Sequence, residues 1–285
     1  MPPSEPSGVP LADVVAALES RYDPALAEPW DAVGLVCGDP AETVRSVLFA
    51  VDPTSAVVDE AFERGVDLVV THHPLLLTAV HGVPADDPKG RLVHRLIRAG
   101  VGLFVAHTNA DRAAEHGVND ALAAVLGLSG AVPLESADRP GAGLGRVGAT
   151  AEPMSLRAFA GRVAAVLPTT AGGLRTAGNP DREVRTVAVC GGSGGSLLPA
   201  AVEAGADVFV TSDLRHHIVS ESLESAGPAL CDVAHFASEW PWLPRAADLL
   251  ERDLSGRVRV GVSERNTDPW SWHVGDGDPA GQPAG

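Results

Sequence analysis

A chain of 285 residues holds one large domain or two modest ones, and with 45% apolar residues it has ample material for a core. Its formal charge is −16 and Lys89 is its single lysine, so its surface repels nucleic acid and anionic membranes, with no local basic patch to reverse that. No continuous apolar run is long enough to span a bilayer.

The opening residues 1–10 read as a disordered leader. They have neither the basic region nor the apolar core of a signal peptide. Cys37, Cys190 and Cys231 are odd in number, far apart and outside any CxxC motif, which predicts reduced thiols and a cytoplasmic protein. Helical apolar spacing begins at Leu11 and runs to Ser20, followed by a turn and short extended segment over Glu28 to Leu35. Strand-like and helical runs then alternate: strand at 44–51, helix at 55–64, strand at 67–70, helix at 89–99, strand at 101–106 and helix at 118–126. That alternation predicts an α/β fold built of βαβ units with a largely parallel sheet.

The second half repeats the first at an offset of 140. Val44-Arg45-Ser46-Val47 matches Val184-Arg185-Thr186-Val187, and without a gap Ala61, Glu63, Gly65, Asp67, Val70 and Thr71 match Ala201, Glu203, Gly205, Asp207, Val210 and Thr211. Farther on, Val105-Ala106-His107 precedes Asp111 as Val233-Ala234-His235 precedes Glu239, each carboxylate four residues after its histidine. An internal duplication into two similar βαβ-containing lobes, 11–130 and 181–262, accounts for this pattern. Residues 131–180 read as a linker carrying one helix near 155–167, and 263–285 as a tail with Trp270 and Trp272 as docking anchors. The last dozen residues are expected to be disordered.

The chemistry concentrates where the apolar run Asp67 to Val70 ends in Thr71-His72-His73-Pro74. Adjacent residues at a strand end point to opposite sides, so the two imidazoles suit two ions side by side better than one. Taken alone, the pair reads equally well as solvated histidines at a strand terminus. Carboxyl ends of parallel strands line one crevice, and if the lobes face each other His72, His73, Asp111, His235 and Glu239 converge there. Nitrogen and carboxylate donors suit zinc, iron or manganese. Five donors exceed one open zinc site and fit two ions about 3.5–4 Å apart, bridged by a carboxylate and a water. His107 reads first as a supporting or core histidine. It is also the foremost candidate for a catalytic acid or base, with His217 behind it. His81, His94, His116 and His273 have no comparable context. The run Gly191 to Ser196 reads equally as a phosphate cradle or as a tight turn, and it lacks the Gly-Lys-Ser/Thr ending of a Walker A loop.

At these residues the chain resembles the Nif-three-like family, also known as GTP cyclohydrolase 1 type 2 homologues, over about 11–272. Glu28 to Gly34 resembles the family's E-x-W-D-N-V-G, with Ala32 for asparagine, and 67–74 its D-L-x-x-x-H-H-P. Residues 106–111 resemble A-H-T-N-L-D, with Ala110 for leucine, and 117–120 give G-V-N-D. Residues 143–148 resemble G-L-G-R-x-G and 189–196 contain C-G-G-S-G-G. Residues 207–217 resemble D-x-x-x-T-G-D-x-x-x-H, with Ser212 for glycine, and 232–239 resemble D-x-G-H-x-x-x-E, with Ala234 for glycine. Thr267 to Trp270 resembles the terminal T-D-P-F.

The resemblance implies a Nif-three-like fold, a homohexamer built as a trimer of dimers, and a dinuclear site with His72, His73, Asp111, His235 and Glu239 on the ligand positions. Glu239 would bridge, His72 and Asp111 serving one ion and His73 and His235 the other. Two functions compete. One is a metal-dependent hydrolase acting through a metal-activated water on a small-molecule substrate of nucleotide type. The other is a non-enzymatic metal-binding protein acting as chaperone, store or scaffold. An interaction protein of the transcription-factor kind ranks last, given the charge.

Overall fold

The computed structural model describes residues 6–274. In chain order its elements are β1 (Val9–Pro10), α1 (Leu11–Arg21), β2 (Gly34–Cys37), β3 (Thr43–Val44), β4 (Ser46–Ala50), α2 (Ser55–Arg64), β5 (Leu68–Thr71), α3 (Pro88–Ala99), β6 (Gly102–Val105), α4 (Thr108–Asp111) and α5 (Val118–Val125). After these come β7 (Ser129–Ser136), β8 (Gly143–Ser155), α6 (Leu156–Val166), β9 (Leu174–Ala177), β10 (Glu183–Val189), α7 (Leu198–Glu203), β11 (Val208–Ser212), α8 (His216–Glu224), β12 (Ala229–Val233), α9 (His235–Glu239), α10 (Trp242–Asp253) and β13 (Arg259–Val262).

Local chemistry accounts for the helix limits. Thr54 caps α2 by accepting from Val57 N, and Gly65 ends it in the left-handed region at φ 59°. Asp87 caps α3 through two backbone amides, Pro88 opens it, and Gly100 closes it at φ 67°.

The strands form two main sheets. One has the order β13-β4-β5-β6-β2, parallel except for β2; the other has the order β7-β8-β10-β11-β12-β9, with a parallel centre β10-β11-β12. Alternation decides what each face buries. In the first sheet Val47, Phe49, Leu68, Val70 and Phe104 face a core shared with α1 and α10, while Leu48, Val69 and Leu103 face α2 and α3. Helix α5 divides its apolar face between the two halves, Val118 and Ala121 with the first core, Leu122 and Leu126 with the second. The matching positions 67 and 207 behave alike: Asp67 accepts from Arg45 N and Ser46 N at 2.7 and 2.9 Å, and Asp207 from Arg185 N and Thr186 N at 2.9 and 2.8 Å.

Sheet pairing redraws the expected boundaries. The leader ends earlier than residue 10, because Val9 and Pro10 pair with Val44 and Thr43; residues 1–5 lie outside the described residues. The expected strand at 44–51 divides into β3 and β4. Residues 131–180 are no linker, since β7, β8, α6 and β9 lie within them or extend into them and join the second half. Nor does the second lobe run to 262: α10 packs in the first core and β13 pairs in parallel with β4. The chain therefore crosses back after Glu239. Trp270 and Trp272 are 71% and 74% exposed. The expected disorder of the last dozen residues falls outside the described residues apart from Val274. Among the described residues no helix is long and apolar enough to cross a membrane.

Candidate metal centre

The site forms where strands β4, β5, β6, β11 and β12 deliver their carboxyl ends. His72 and His73 prolong β5 by one residue each along its neighbour, His72 N donating to Ala50 O and His73 N to Val51 O at 3.2 and 2.9 Å. Beyond β6 and β12 the chain folds into the short helices α4 and α9, which carry Asp111 and Glu239 back beside the histidines. His235 and Glu239 thus meet at 2.9 Å, Nε2 to Oε1.

Glu239 is buried at the centre. One of its oxygens lies 3.4 Å from His72 Nε2 and the other 3.1 Å from His73 Nε2, while Asp111 Oδ1 lies 3.6 Å from His72 Nε2. All five expected ligands therefore come together. Ring centroids are 5.1 Å apart for His72 and His73, 5.0 Å for His73 and His235, and 5.1 Å for His72 and His107. Two groups have one donor atom per residue all within 4.8 Å of one another: His73, His235 and Glu239, and His72, His73 and His107. The second group includes His107, which the sequence assigned to a supporting or catalytic role.

Each of these histidines is held by its Nδ1, which leaves Nε2 facing the cluster. Nδ1 of His72 donates to Ala106 O at 2.9 Å, of His73 to Asp52 at 2.7 Å, of His107 to Asp31 at 2.8 Å and of His235 to Asp213 at 2.6 Å. Such outer partners fix tautomer and ring orientation in metal sites. Sequence reading passed over Asp52, which carries no motif of its own apart from its strand-end position, and met Asp213 only inside the motif at 207–217. It met Asp31 only inside the motif at 28–34. His72 Nε2, Asp111 Oδ1 and Glu239 Oε2 are buried with no hydrogen-bond partner. Unsatisfied groups of this kind cost about 1–3 kcal/mol each, and together they form a nitrogen and oxygen donor set suited to a divalent cation.

The electrostatics are complementary. Burial opposes charge on His73 and His235, but the Glu239 carboxylate together with Asp52 at His73 and Asp213 at His235 outweighs it and raises them to about 11 and about 9. Burial likewise opposes the Glu239 anion, and the surrounding histidines, His73 foremost, hold it well below the ordinary carboxylate range. Asp111 moves the other way, pushed up chiefly by burial.

Three backbone amides of the glycine run at 191–195 are engaged within the protein. Gly191 N donates to Asn119 Oδ1, Gly192 N to Ser238 Oγ and Gly194 N to Thr211 Oγ1, at 2.9, 2.8 and 2.8 Å. These amides are committed internally, and the loop packs against Glu239. His216 and His217 open α8 with ring centroids 5.3 Å apart and belong to neither donor group. His81, His94 and His116 also stand outside both groups. His273 is likewise outside both groups and lines a cavity of about 870 Å3 together with His73 and His235.

Comparison with known proteins places this geometry in context. The family model described as Duf34/NIF3 (NGG1p interacting factor 3) matches residues 9–269. A Streptomyces coelicolor protein called "GTP cyclohydrolase 1 type 2 homolog" is 49% identical over 271 residues, covering 93% of this chain and 94% of the relative. A Mycobacterium tuberculosis protein of the same description is 37% identical, covering 92% and 97%. Among solved structures, a Staphylococcus aureus hypothetical protein superposes with TM-score 0.85 at 29% identity, covering 93% of this chain and all of that one. A Bacillus cereus protein related to NIF3 superposes at 0.86 with 24% identity, covering 93% and 99%.

Proposed function

The chain belongs to the Duf34/NIF3 family, and from that premise we propose that it binds two divalent metal ions and acts as a metal-dependent hydrolase. The carrying observation is the set of three buried donor atoms without partners, His72 Nε2, Asp111 Oδ1 and Glu239 Oε2, in a cluster whose imidazoles are all anchored through Nδ1. His72 and Asp111 would hold one ion, His73 and His235 the other, and Glu239 would bridge them. The ions are zinc, iron or manganese, between which such donors discriminate weakly. An ion held by these residues would supply a water of pKa about 7 as nucleophile at an electrophilic carbon or phosphorus. His107, held by Asp31 through Nδ1, keeps Nε2 free to carry the proton released at that step. The description shared by the relatives directs the first substrate trials to purine nucleotides. The same reading includes a homohexameric assembly, a trimer of dimers, in the cytoplasm.

A second reading, a non-enzymatic metal chaperone, store or scaffold, draws on the closeness of His107 to His72 and His73. As a further ligand it would leave the cluster without an evident base. Metal content of the purified protein and of His73→Ala and Glu239→Gln separates these readings, followed by a hydrolysis screen over nucleotides and phosphoesters. Two ions per chain, lost together with turnover in the variants, support the hydrolase. Metal retained in both variants defeats the ligand assignment, and stable metal with no turnover on any substrate favours metal handling. Light scattering after gel filtration tests the hexamer.

A further inference from the structure

We propose that Asn119 is a positioning residue that joins the two halves of the metal centre, with Ser238 carrying the link on to His235. This rests on the metal-binding reading and specifies what keeps Asp111, beyond the first sheet, in register with His235 and Glu239, beyond the second.

Asn119 lies on α5, the helix whose apolar face is divided between the two cores, and it is fully buried. Its two polar atoms serve different halves. Nδ2 donates to Asp111 O at 3.0 Å, satisfying a carbonyl at the end of α4, and Oδ1 accepts from Gly191 N at 2.9 Å. The stretch between Asp111 and α5 is anchored as well. Asp120 Oδ2 accepts from Gly117 N at 3.0 Å, and the buried Arg146 guanidinium donates to Asp120 Oδ1 at 2.6 Å and to Ala113 O at 2.7 Å. Side chains of α5 and β8 thus fix the backbone that follows this candidate ligand.

From Gly191 the link passes to the next amide. Gly192 N donates to Ser238 Oγ at 2.8 Å, and that hydroxyl donates to His235 O at 2.7 Å. Ser212 Oγ donates to it too, at 3.1 Å, so its one donor and two acceptor positions are all filled. Both serines are fully buried, and Ser212 stands where the family pattern has glycine. A hydrogen-bonded path therefore runs from Asp111 to His235 through the loop that packs against Glu239. Buried and fully satisfied networks of this kind act as a unit, and removing one member leaves its partners unpaired.

The test compares the full chain with Asn119→Ala, Ser238→Ala, the double variant and Phe159→Leu, a substitution in the second core outside the path. Zinc titration by calorimetry reads metal affinity, urea unfolding reads stability, and amide exchange in the metal-free chain reads the loop. Each single variant is expected to bind zinc about 10–100-fold more weakly. The double variant should be only about as weak as the worse single one, because members of one network do not contribute independently. Asn119→Ala should also speed exchange at Gly192 about tenfold, although that amide is bonded to Ser238 and not to Asn119. Phe159→Leu should lose stability while keeping zinc affinity and Gly192 protection. Losses that multiply in the double variant, zinc affinity that falls as far in Phe159→Leu, or Gly192 exchange unmoved by Asn119→Ala overturns the proposal. Should Asn119→Ala fail to fold, exchange at Gly191 in Ser238→Ala reads the same link from its other end. A parent chain that binds no zinc defeats the metal-binding reading, and the exchange results then support or overturn the link between the halves by themselves.

Discussion

Gly192 stands so close to Glu239 that a methyl group on its α-carbon would meet Oε1 at 2.6 Å. The backbone there has φ of 68°, a conformation L side chains rarely adopt, and the same methyl would reach His235 Nε2 at 3.1 Å. The glycine run thus leaves room for the central carboxylate. Gly192→Ala is expected to keep the fold by circular dichroism while weakening metal binding at least about tenfold, the scale on which displaced outer contacts act. Competition with a chelator reads the change, and unaltered affinity would refute the steric account.

Asp52 serves two partners at once, His73 Nδ1 through one oxygen and Thr267 Oγ1 through the other. The tail beyond β13 is thereby linked to the orientation of a candidate ligand. Asp52→Ala should reduce metal affinity by about 10–100-fold, and Thr267→Val should do so less severely because His73 keeps its carboxylate. Chelator competition on both variants checks the order, and a larger loss in Thr267→Val would reverse it.

Tyr22 is the single tyrosine, so phenolate absorbance reports it alone. Burial pushes its hydroxyl up from 10 to about 12, against an opposing contribution from the Trp242 Nε1–H donated to it. The folded value exceeds the unfolded one, so this contribution to stability is complete below pH 10 and is lost as the pH rises towards 12. Native absorbance should titrate near pH 12, and denaturant stability should fall by roughly 2–3 kcal/mol across that window. In Tyr22→Phe this alkaline decline should be reduced.

Trp242 is fully buried, with its ring 5.4 Å from Tyr22, 6.0 Å from Phe49 and 5.5 Å from His72. It opens α10, the helix that returns to the first core. Trp242→Ala should destabilise the protein by about 3–5 kcal/mol and, by removing the wall behind His72, should weaken metal binding too. Urea unfolding checks the first effect and metal stoichiometry the second. A loss below about 1 kcal/mol would show that the core closes over the gap.

Much of the candidate site was legible because it is local. A histidine followed four residues later by a carboxylate, after an apolar run, encodes its own turn, and α4 and α9 supply those turns. The partners behind the imidazoles were not legible, because Asp52, Asp31 and Asp213 lie 21, 76 and 22 residues from the histidines they hold. The glycine run stayed ambiguous for a similar reason. Its composition suits a phosphate or a turn equally, and three of its amides are taken by side chains distant in sequence.

The sequence by itself determined the α/β alternation, the approximate limits of α1, α2, α3, α5 and α6, and the residue types of the metal centre, since apolar period, capping and strand-end chemistry act over a few residues. Only the tertiary structure decided which sheet each strand joins. The run at 259–262 reads as the end of a second lobe, yet it completes the first sheet beside β4. The stretch at 131–180 reads as a linker, yet it supplies much of the second sheet. Hydrogen bonding between strands is indifferent to their separation along the chain, so pairing is settled by which apolar faces are buried together. The same burial brings Glu239 against His72 and His73, and no local pattern contains that meeting.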